Sequence, residues 1–285
     1  MKEKPLYQPS YLTSLMKEYD LSFTKSLGQN FLVDGNVLRR IVRAAGPGPK
    51  DTVLEIGPGV GTLTQELLAQ AGEVISIEID QRFLPVLEKE FGGNPKFSLI
   101  GGDALKMDLG AVAKEKAKGE RTLLIANLPY YITTPLLEQF LTKPLPIDSF
   151  TVMVQKEVAE RITAEPSTKE YGALTLFVAL YGQAKWCFDV SKNSFFPRPK
   201  VDSAVVQIQQ KKGLDYERAD RINQVIRLAF QQRRKYVMKA LERATGKDRL
   251  QLLDAFQKLG LSPQARPADL ALEHYGKILE EVGFI

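Results

Sequence analysis

Cysteine and histidine are almost absent from this chain. A single cysteine, Cys187, excludes an internal disulfide and any cysteine-built metal cluster. A single histidine, His274, argues against a histidine-based metal site and against a Ser-His-Asp triad. No run of about 18 apolar residues occurs, so no membrane-spanning helix is expected. The first twenty residues mix charged, polar and aromatic side chains and hold no apolar signal-peptide core. Charge of neither sign dominates. The net charge of +5 and pI near 9.1 permit a nucleic-acid partner without demanding one. These absences are consistent with a reducing, cytoplasmic setting and favour chemistry that needs neither histidine nor cysteine.

What is present points to an α/β protein. A length of 285 residues with 44% hydrophobic and 26% charged content suits one large α/β domain plus a small one. The most informative stretch is Leu123-Leu124-Ile125-Ala126-Asn127-Leu128-Pro129-Tyr130-Tyr131. Its apolar start reads as a buried strand of a parallel sheet, and Pro129, which cannot donate to a ladder, ends it. Residues at such a strand tip face the crevice where open α/β sheets bind ligands. Asn127 offers an amide, Leu128 and Pro129 offer backbone carbonyls, and Tyr130 offers a flat aromatic face. Together they suit a planar group bearing an amine, such as a nucleobase. Turn chemistry alone would also account for Asn and Tyr here.

A second ligand-facing signal lies upstream. The strand 52–56 runs into Gly57-Pro58-Gly59-Val60-Gly61, and a helix follows from about 62 to 71. Strand, glycine-rich turn and helix form the first unit of a nucleotide-binding sheet. The glycines let a ligand approach the backbone. A dinucleotide fingerprint requires G-x-G-x-x-G, but Thr62 stands at the sixth position. The pattern Glu55-x-Gly57-x-Gly59-x-Gly61 instead resembles the first motif of S-adenosylmethionine-dependent methyltransferases, with an NAD-dependent enzyme as the rival.

Further strands are expected over 73–79, 96–100, 150–155, 186–190 and 201–209, with helices over 34–45, 81–91, 133–141, 156–162 and 173–181. Asp34 suits the N-cap of the first of these helices, and Thr133 or Thr134 that of the third. Glu78 is assigned to a ribose and Asp80 to helix capping, with the reverse assignment open. Asp103, after Gly101-Gly102, can accept from an adenine amine or simply form a turn. Residues 1–22 read as a polar arm or short helix. Gln29 and Asn30 by themselves read as a solvated loop, residues 164–172 as a mobile loop, 195–199 as a rigid aromatic loop, and Cys187 as a small core residue.

From residue 214 the strand signal stops, and helical periodicity covers about 216–230, 235–243, 248–259 and 268–282. Domains are therefore expected at 23–212 and 213–285, after the arm. The second carries Arg221, Arg227, Arg233, Arg234, Lys235, Lys239 and Arg243, which can match a phosphate backbone or form a solvated face.

Seven motifs now stand in order. They are Gly28-Gln29-Asn30-Phe31-Leu32, Glu55-x-Gly57-x-Gly59-x-Gly61, Ile77-Glu78-Ile79-Asp80, Gly102-Asp103-Ala104, Asn127-Leu128-Pro129-Tyr130, Phe195-x-Pro197-x-Pro199-Lys200-Val201-Asp202-Ser203 and Ala229-Phe230-x-x-Arg233-Arg234-Lys235. The set resembles the ribosomal RNA adenine N6-dimethyltransferase family, of the KsgA (RsmA) small-subunit type. The resemblance implies a Rossmann-like class I S-adenosylmethionine-dependent methyltransferase sheet with a small all-helical C-terminal domain. It implies methylation, twice each, of two adjacent adenosines in the 3′-terminal hairpin loop of small-subunit rRNA. The expected partner is an immature small ribosomal subunit, and the expected enzyme is a metal-free monomer. Carried over by motif, Asn30 and Leu32 contact the methionine end of the cofactor and Gly57 lies against it. Glu78 holds the ribose and Asp103 the adenine amine, with Gln29 and Gly59 also on the cofactor side. Asn127 sits between cofactor and target base. Leu128 and Pro129 supply carbonyls, Tyr130 stacks on the base, and Phe195 is the candidate second face. Arg227, Arg233, Arg234 and Lys235 would meet RNA. The Erm type, which methylates large-subunit RNA, shares most motifs; Leu128 and the long helical C-terminus favour the small-subunit type. A non-catalytic RNA-binding relative is disfavoured by the intact Asn127 and glycine motifs.

Overall fold

The computed structural model describes residues 5–21 and 29–285; Gly28 of the first motif lies outside the described residues. Two compact units are present. One comprises Met1–Ala159 with Lys185–Gln209, the other Glu160–Ala184 with Gln210–Ile285.

The first unit begins with helix α1 (Pro9–Glu18), strand β1 (Phe31–Leu32) and helix α2 (Gly35–Ala45). There follow β2 (Thr52–Ile56), α3 (Thr62–Leu68), β3 (Glu73–Glu78), α4 (Leu84–Phe91), β4 (Phe97–Gly101) and α5 (Leu109–Lys116). Then come β5 (Thr122–Asn127), α6 (Thr133–Leu141), β6 (Ser149–Gln155) and α7 (Lys156–Ile162). After the excursion described below, β7 (Gly182–Val190), β8 (Phe195–Phe196) and β9 (Ser203–Gln210) complete it.

The sheet has seven strands in the order β4-β3-β2-β5-β6-β9-β7. The first five are parallel, and β9 runs antiparallel to β6 with Gln155 opposite Ser203. The apolar runs predict this layout. Val53, Leu54, Leu124, Ile125 and Val152 are all fully buried, as strands covered on both faces by helices must be. Phe140 of α6 stacks on Phe150 of β6 at 5.2 Å, which fastens a helix to the sheet. Asp34 caps α2, accepting from the amides of Asn36 and Val37, and Gly46 ends that helix in the left-handed conformation. With the parallel strands in register, the tips of β2, β3, β4 and β5 come to one edge of the sheet.

Three local expectations change. Of the two readings of the N-terminal segment, the short helix is realised as α1 and the polar arm is not: Leu6, Leu12 and Leu15 are buried in the main core. Neither Thr133 nor Thr134 caps α6. Ile132 stands at the cap position, and the Thr133 hydroxyl is buried with no hydrogen-bond partner. The aromatic loop contains a strand, β8, paired with β1 through Phe31 opposite Phe196 and Leu32 opposite Phe195. Two-residue strands carry no readable alternation, so only tertiary pairing reveals them.

The second unit is helical. It contains α8 (Ala173–Tyr181), α9 (Tyr216–Phe230), α10 (Met238–Thr245), α11 (Arg249–Lys258) and α12 (Leu272–Glu281). Compactness divides the chain elsewhere than composition does, because residues 160–184 group with the C-terminal helices. The apolar α8 explains this. Its Tyr181 is fully buried and donates to Asp220 of α9 at 2.5 Å, and Tyr171 donates to the Leu270 carbonyl at 3.0 Å.

Candidate active site

The glycine turn after β2 sets the geometry of the site. Gly57 and Gly59 have φ of +69° and +58°, a region that favours glycine. A Cβ at Gly59 would stand 2.7 Å from the Phe31 ring, whereas nothing lies within 4 Å of one at Gly57. The first glycine therefore keeps an open edge, and the second lets β1 close against the turn.

Glu78, at the tip of β3, is buried, and its carboxylate bridges this turn. One oxygen accepts the Gly59 amide at 2.9 Å and the other the Asp80 amide at 2.8 Å. Burial pushes its pKa up, opposed by those amide bonds. Each carboxylate oxygen keeps a lone pair for a ligand. Asp80 does what capping requires: it accepts the Arg82 amide, pairs with the Arg82 guanidinium at 2.6 Å, and accepts Gln29 Nε2 at 2.8 Å. Arg82 holds its pKa below the usual carboxylate range.

Asp103 follows β4 and accepts the Leu105 amide at 3.0 Å, so the turn reading is realised at a residue that also borders the cavity. Asn127 ends β5. Its Nδ2 donates to the Asn30 carbonyl at 3.4 Å, which leaves Oδ1 as the acceptor towards a ligand. The Pro129 carbonyl accepts the Ile132 amide at 3.1 Å. Of the two carbonyls expected to serve a ligand, that of Pro129 already accepts one amide and keeps a single further lone pair. Tyr130 is half-buried, and its hydroxyl lies 2.8 Å from Ser203 Oγ.

One cavity unites these groups. Gln29, Asn30, Leu32, Gly57, Gly59, Glu78, Asp103, Asn127, Leu128, Pro129, Tyr130 and Phe195 all border it. Gln29 and Asn30 thus line a cavity rather than a solvated loop. Phe195 is only 4% exposed and belongs to the core as well, while Phe196 beside it is 44% exposed and does not line the cavity.

Ile79 and Glu55 are among the lining residues to which the sequence motifs assign no role in binding. Ile79 is 46% exposed and presents an apolar face; an apolar residue directly after an acidic strand tip is the signal that marks it. Glu55 borders the cavity from within β2. One of its oxygens accepts from the hydroxyls of Thr64 and Ser76, both at 2.7 Å, and the other is buried without a partner. Burial pushes Glu55 up to about 7, against the pull of those two hydroxyls.

The basic residues lie in the second unit. Arg227 is on α9, and Arg233, Arg234 and Lys235 follow it, all exposed except Arg227's neighbours on the helix's inner face. Arg233 already donates to the carbonyls of Thr168 and Lys169 at 3.3 and 2.7 Å, so it braces the 164–172 loop.

Residues 20–282 match the family pattern described as ribosomal RNA adenine dimethylase. The chain belongs to that family. This dimethylase is 43% identical over 266 residues to "Ribosomal RNA small subunit methyltransferase A" of Clostridium botulinum, covering 93% of this chain and 95% of the relative. Its fold is the α/β methyltransferase fold. It resembles a dimethyladenosine transferase from Plasmodium falciparum with a TM-score of 0.73 at 27% identity, over 88% of this chain and 96% of that one. It also resembles the 23S rRNA methyltransferase ErmE with a TM-score of 0.68 at 26% identity, over 89% and 100%. Fold alone does not separate small-subunit from large-subunit enzymes; the near-full-length sequence identity favours the former.

Proposed function

We propose that this dimethylase transfers methyl groups to N6 of two adjacent adenosines in the 3′-terminal hairpin loop of small-subunit rRNA, as a monomer acting on an immature subunit in the cytoplasm. The observation that carries the reading is convergence. Motifs from six distant parts of a chain 43% identical to a small-subunit methyltransferase border one cavity.

The residues present fit S-adenosylmethionine. Glu55, Glu78 and Asp103 border the cavity with acidic groups, which suits a ligand that carries positive charge and hydrogen-bond donors. Glu78 would hold the ribose and Asp103 the adenine amine, with Ile79 against the ring. Gln29, Asn30, Leu32, Gly57 and Gly59 would enclose the remainder. The bound cofactor supplies a methyl already activated by its sulfonium, so no metal or protein nucleophile is required.

The chain's own task concerns the target amine, whose lone pair is conjugated into the adenine ring. Asn127 Oδ1 and the Leu128 carbonyl would accept its two hydrogens, making the lone pair more available and aiming it at the methyl. Tyr130 would lie against an unstacked base of the RNA loop, with Phe195 as the second face. The proton leaves after transfer, so a strong base is unnecessary. Residues 23–212 would carry the transfer, and 213–285 would grip RNA through Arg227, Arg234 and Lys235, with Arg233 beside them.

Labelled S-adenosylmethionine added to small subunits lacking these methyls, followed by mapping of the modified bases, tests the reading. Label at two adjacent loop adenosines is expected. Modification confined to large-subunit RNA would assign the Erm reaction, and NAD binding without S-adenosylmethionine binding would replace both readings.

A further inference from the structure

Only Phe195 of the motif that ends in Asp202-Ser203 has a part in the chemistry above, yet the motif's last residue meets a residue of the site. The topology explains how. A parallel strand brings its C-terminus to the ligand edge of the sheet, but β9 is reversed and brings its N-terminus there instead. Ser203 is the first residue of β9 and stands opposite Gln155, the last of β6. Its seat is fastened on both sides. The Asp202 carbonyl accepts the Lys156 amide at 3.0 Å, and the Asp202 carboxylate accepts the Lys192 amide at 2.9 Å.

From that seat Ser203, fully buried, meets the Tyr130 hydroxyl at 2.8 Å across 73 residues of chain. This is the usual length of a hydroxyl–hydroxyl bond. It fixes the long axis of the ring, because a change of χ1 would swing the hydroxyl away and break it. Rotation about the ring axis leaves the oxygen in place, so the plane of the ring is set by its packing. Departure of Tyr130 would take this partner from the buried Ser203 hydroxyl, which opposes that departure. The bond also occupies the tyrosine hydroxyl and keeps it from competing for the amine of a bound base.

We propose that Ser203 is a positioning residue: its hydroxyl holds the Tyr130 ring in the cavity in the attitude that meets the target adenine. The proposal rests on the reading of Tyr130 as the face against the base. It assigns Ser203 no contact with cofactor or RNA.

The test breaks the bond from each side and from both. Ser203→Ala, Tyr130→Phe and the double variant are compared with wild type in single-turnover methylation of unmethylated small subunits, with S-adenosylmethionine affinity measured by calorimetry. Each single variant is expected to lose about fivefold to tenfold in rate, the size of one neutral hydrogen bond. Cofactor affinity should stay unchanged, and the double variant should be no slower than either single one. Tyr130→Phe leaves β9 untouched, so it reads the same bond without altering the buried serine. Wild-type rate in Ser203→Ala, multiplicative losses in the double variant, or a parallel loss of cofactor affinity would each overturn the proposal. A separate Tyr130→Ala variant at wild-type rate would instead remove the base-facing role of Tyr130 itself.

Discussion

Asn127 and Glu55 carry the sharpest consequences at the scale of single residues. Asn127 is half-buried at the tip of β5, with Nδ2 towards the Asn30 carbonyl and Oδ1 left to accept. Asn127→Ala removes that acceptor but little of the cofactor's enclosure. Transfer should fall by at least about a thousandfold, while the S-adenosylmethionine dissociation constant moves by less than about threefold. Wild-type turnover would take Asn127 out of the mechanism. Glu55 is 1% exposed with a pKa raised to about 7 from an ordinary value of 4.5. Between those two values the folded state keeps a proton that the unfolded chain releases. Its contribution is therefore most favourable below the unfolded value and is lost as pH climbs towards 7, by on the order of 3 kcal/mol. Glu55→Gln keeps the shape and removes the titration. Urea denaturation of the cofactor-free protein at pH 5 and pH 8 should show the wild type losing more stability than the variant over that interval. Equal losses would mean that Glu55 ionises freely in the fold.

At the scale of elements, the entry to α2 joins two parts of the chain. One Asp34 oxygen caps the helix, and the other accepts the Ser194 hydroxyl at 3.2 Å, while the Val33 amide donates to the Ser194 carbonyl at 2.8 Å. The cap therefore also fastens the turn that leads into β8, which places Phe195 beside the cavity. Asp34→Ala should cost about 1–2 kcal/mol in urea denaturation, with Asp34→Asn recovering most of it. A loss below a few tenths would show that the cap is replaced by solvent. Helices α6, α8 and α9 begin and end where their apolar periodicity says, at 133–141, 173–181 and 216–230. Their cores are long enough for that period to be read. The caps were less legible. Asp34 caps because it precedes a helix in extended backbone, whereas Thr133 is already inside one, and a threonine beside a helix start looks the same in either place.

At the scale of the whole molecule, the modest net charge of +5 hides a local excess. Arg234, Lys235, Lys239 and Arg243 follow one another at the end of α9 and along α10, exposed and without ion pairs among the described residues. RNA binding through such groups releases counterions, with a salt slope of about 0.7–0.9 per phosphate contact. The Arg234→Ala/Lys235→Ala variant should bind unmethylated small subunits more weakly, with the slope of log affinity against log salt reduced by about 1–2, and with unchanged cofactor affinity. An unchanged slope would return these residues to an ordinary solvated face. Arg233 is kept out of this test because its guanidinium also holds the 164–172 loop.

The sequence by itself determined the strands β2 and β5, the longer helices and the ordered motifs. Each is a local signal: an apolar run, a helical period, a glycine turn or a strand-tip carboxylate. It did not determine contacts between residues far apart along the chain. The burial of α1, the pairing of β1 with β8, the grouping of 160–184 with the C-terminal helices and the bond from Tyr130 to Ser203 were decided only in the tertiary structure. The physical reason is that such contacts depend on strand order and direction. A reversed β9 brings Ser203 to the site edge, where a parallel strand would have carried its first residue to the opposite edge.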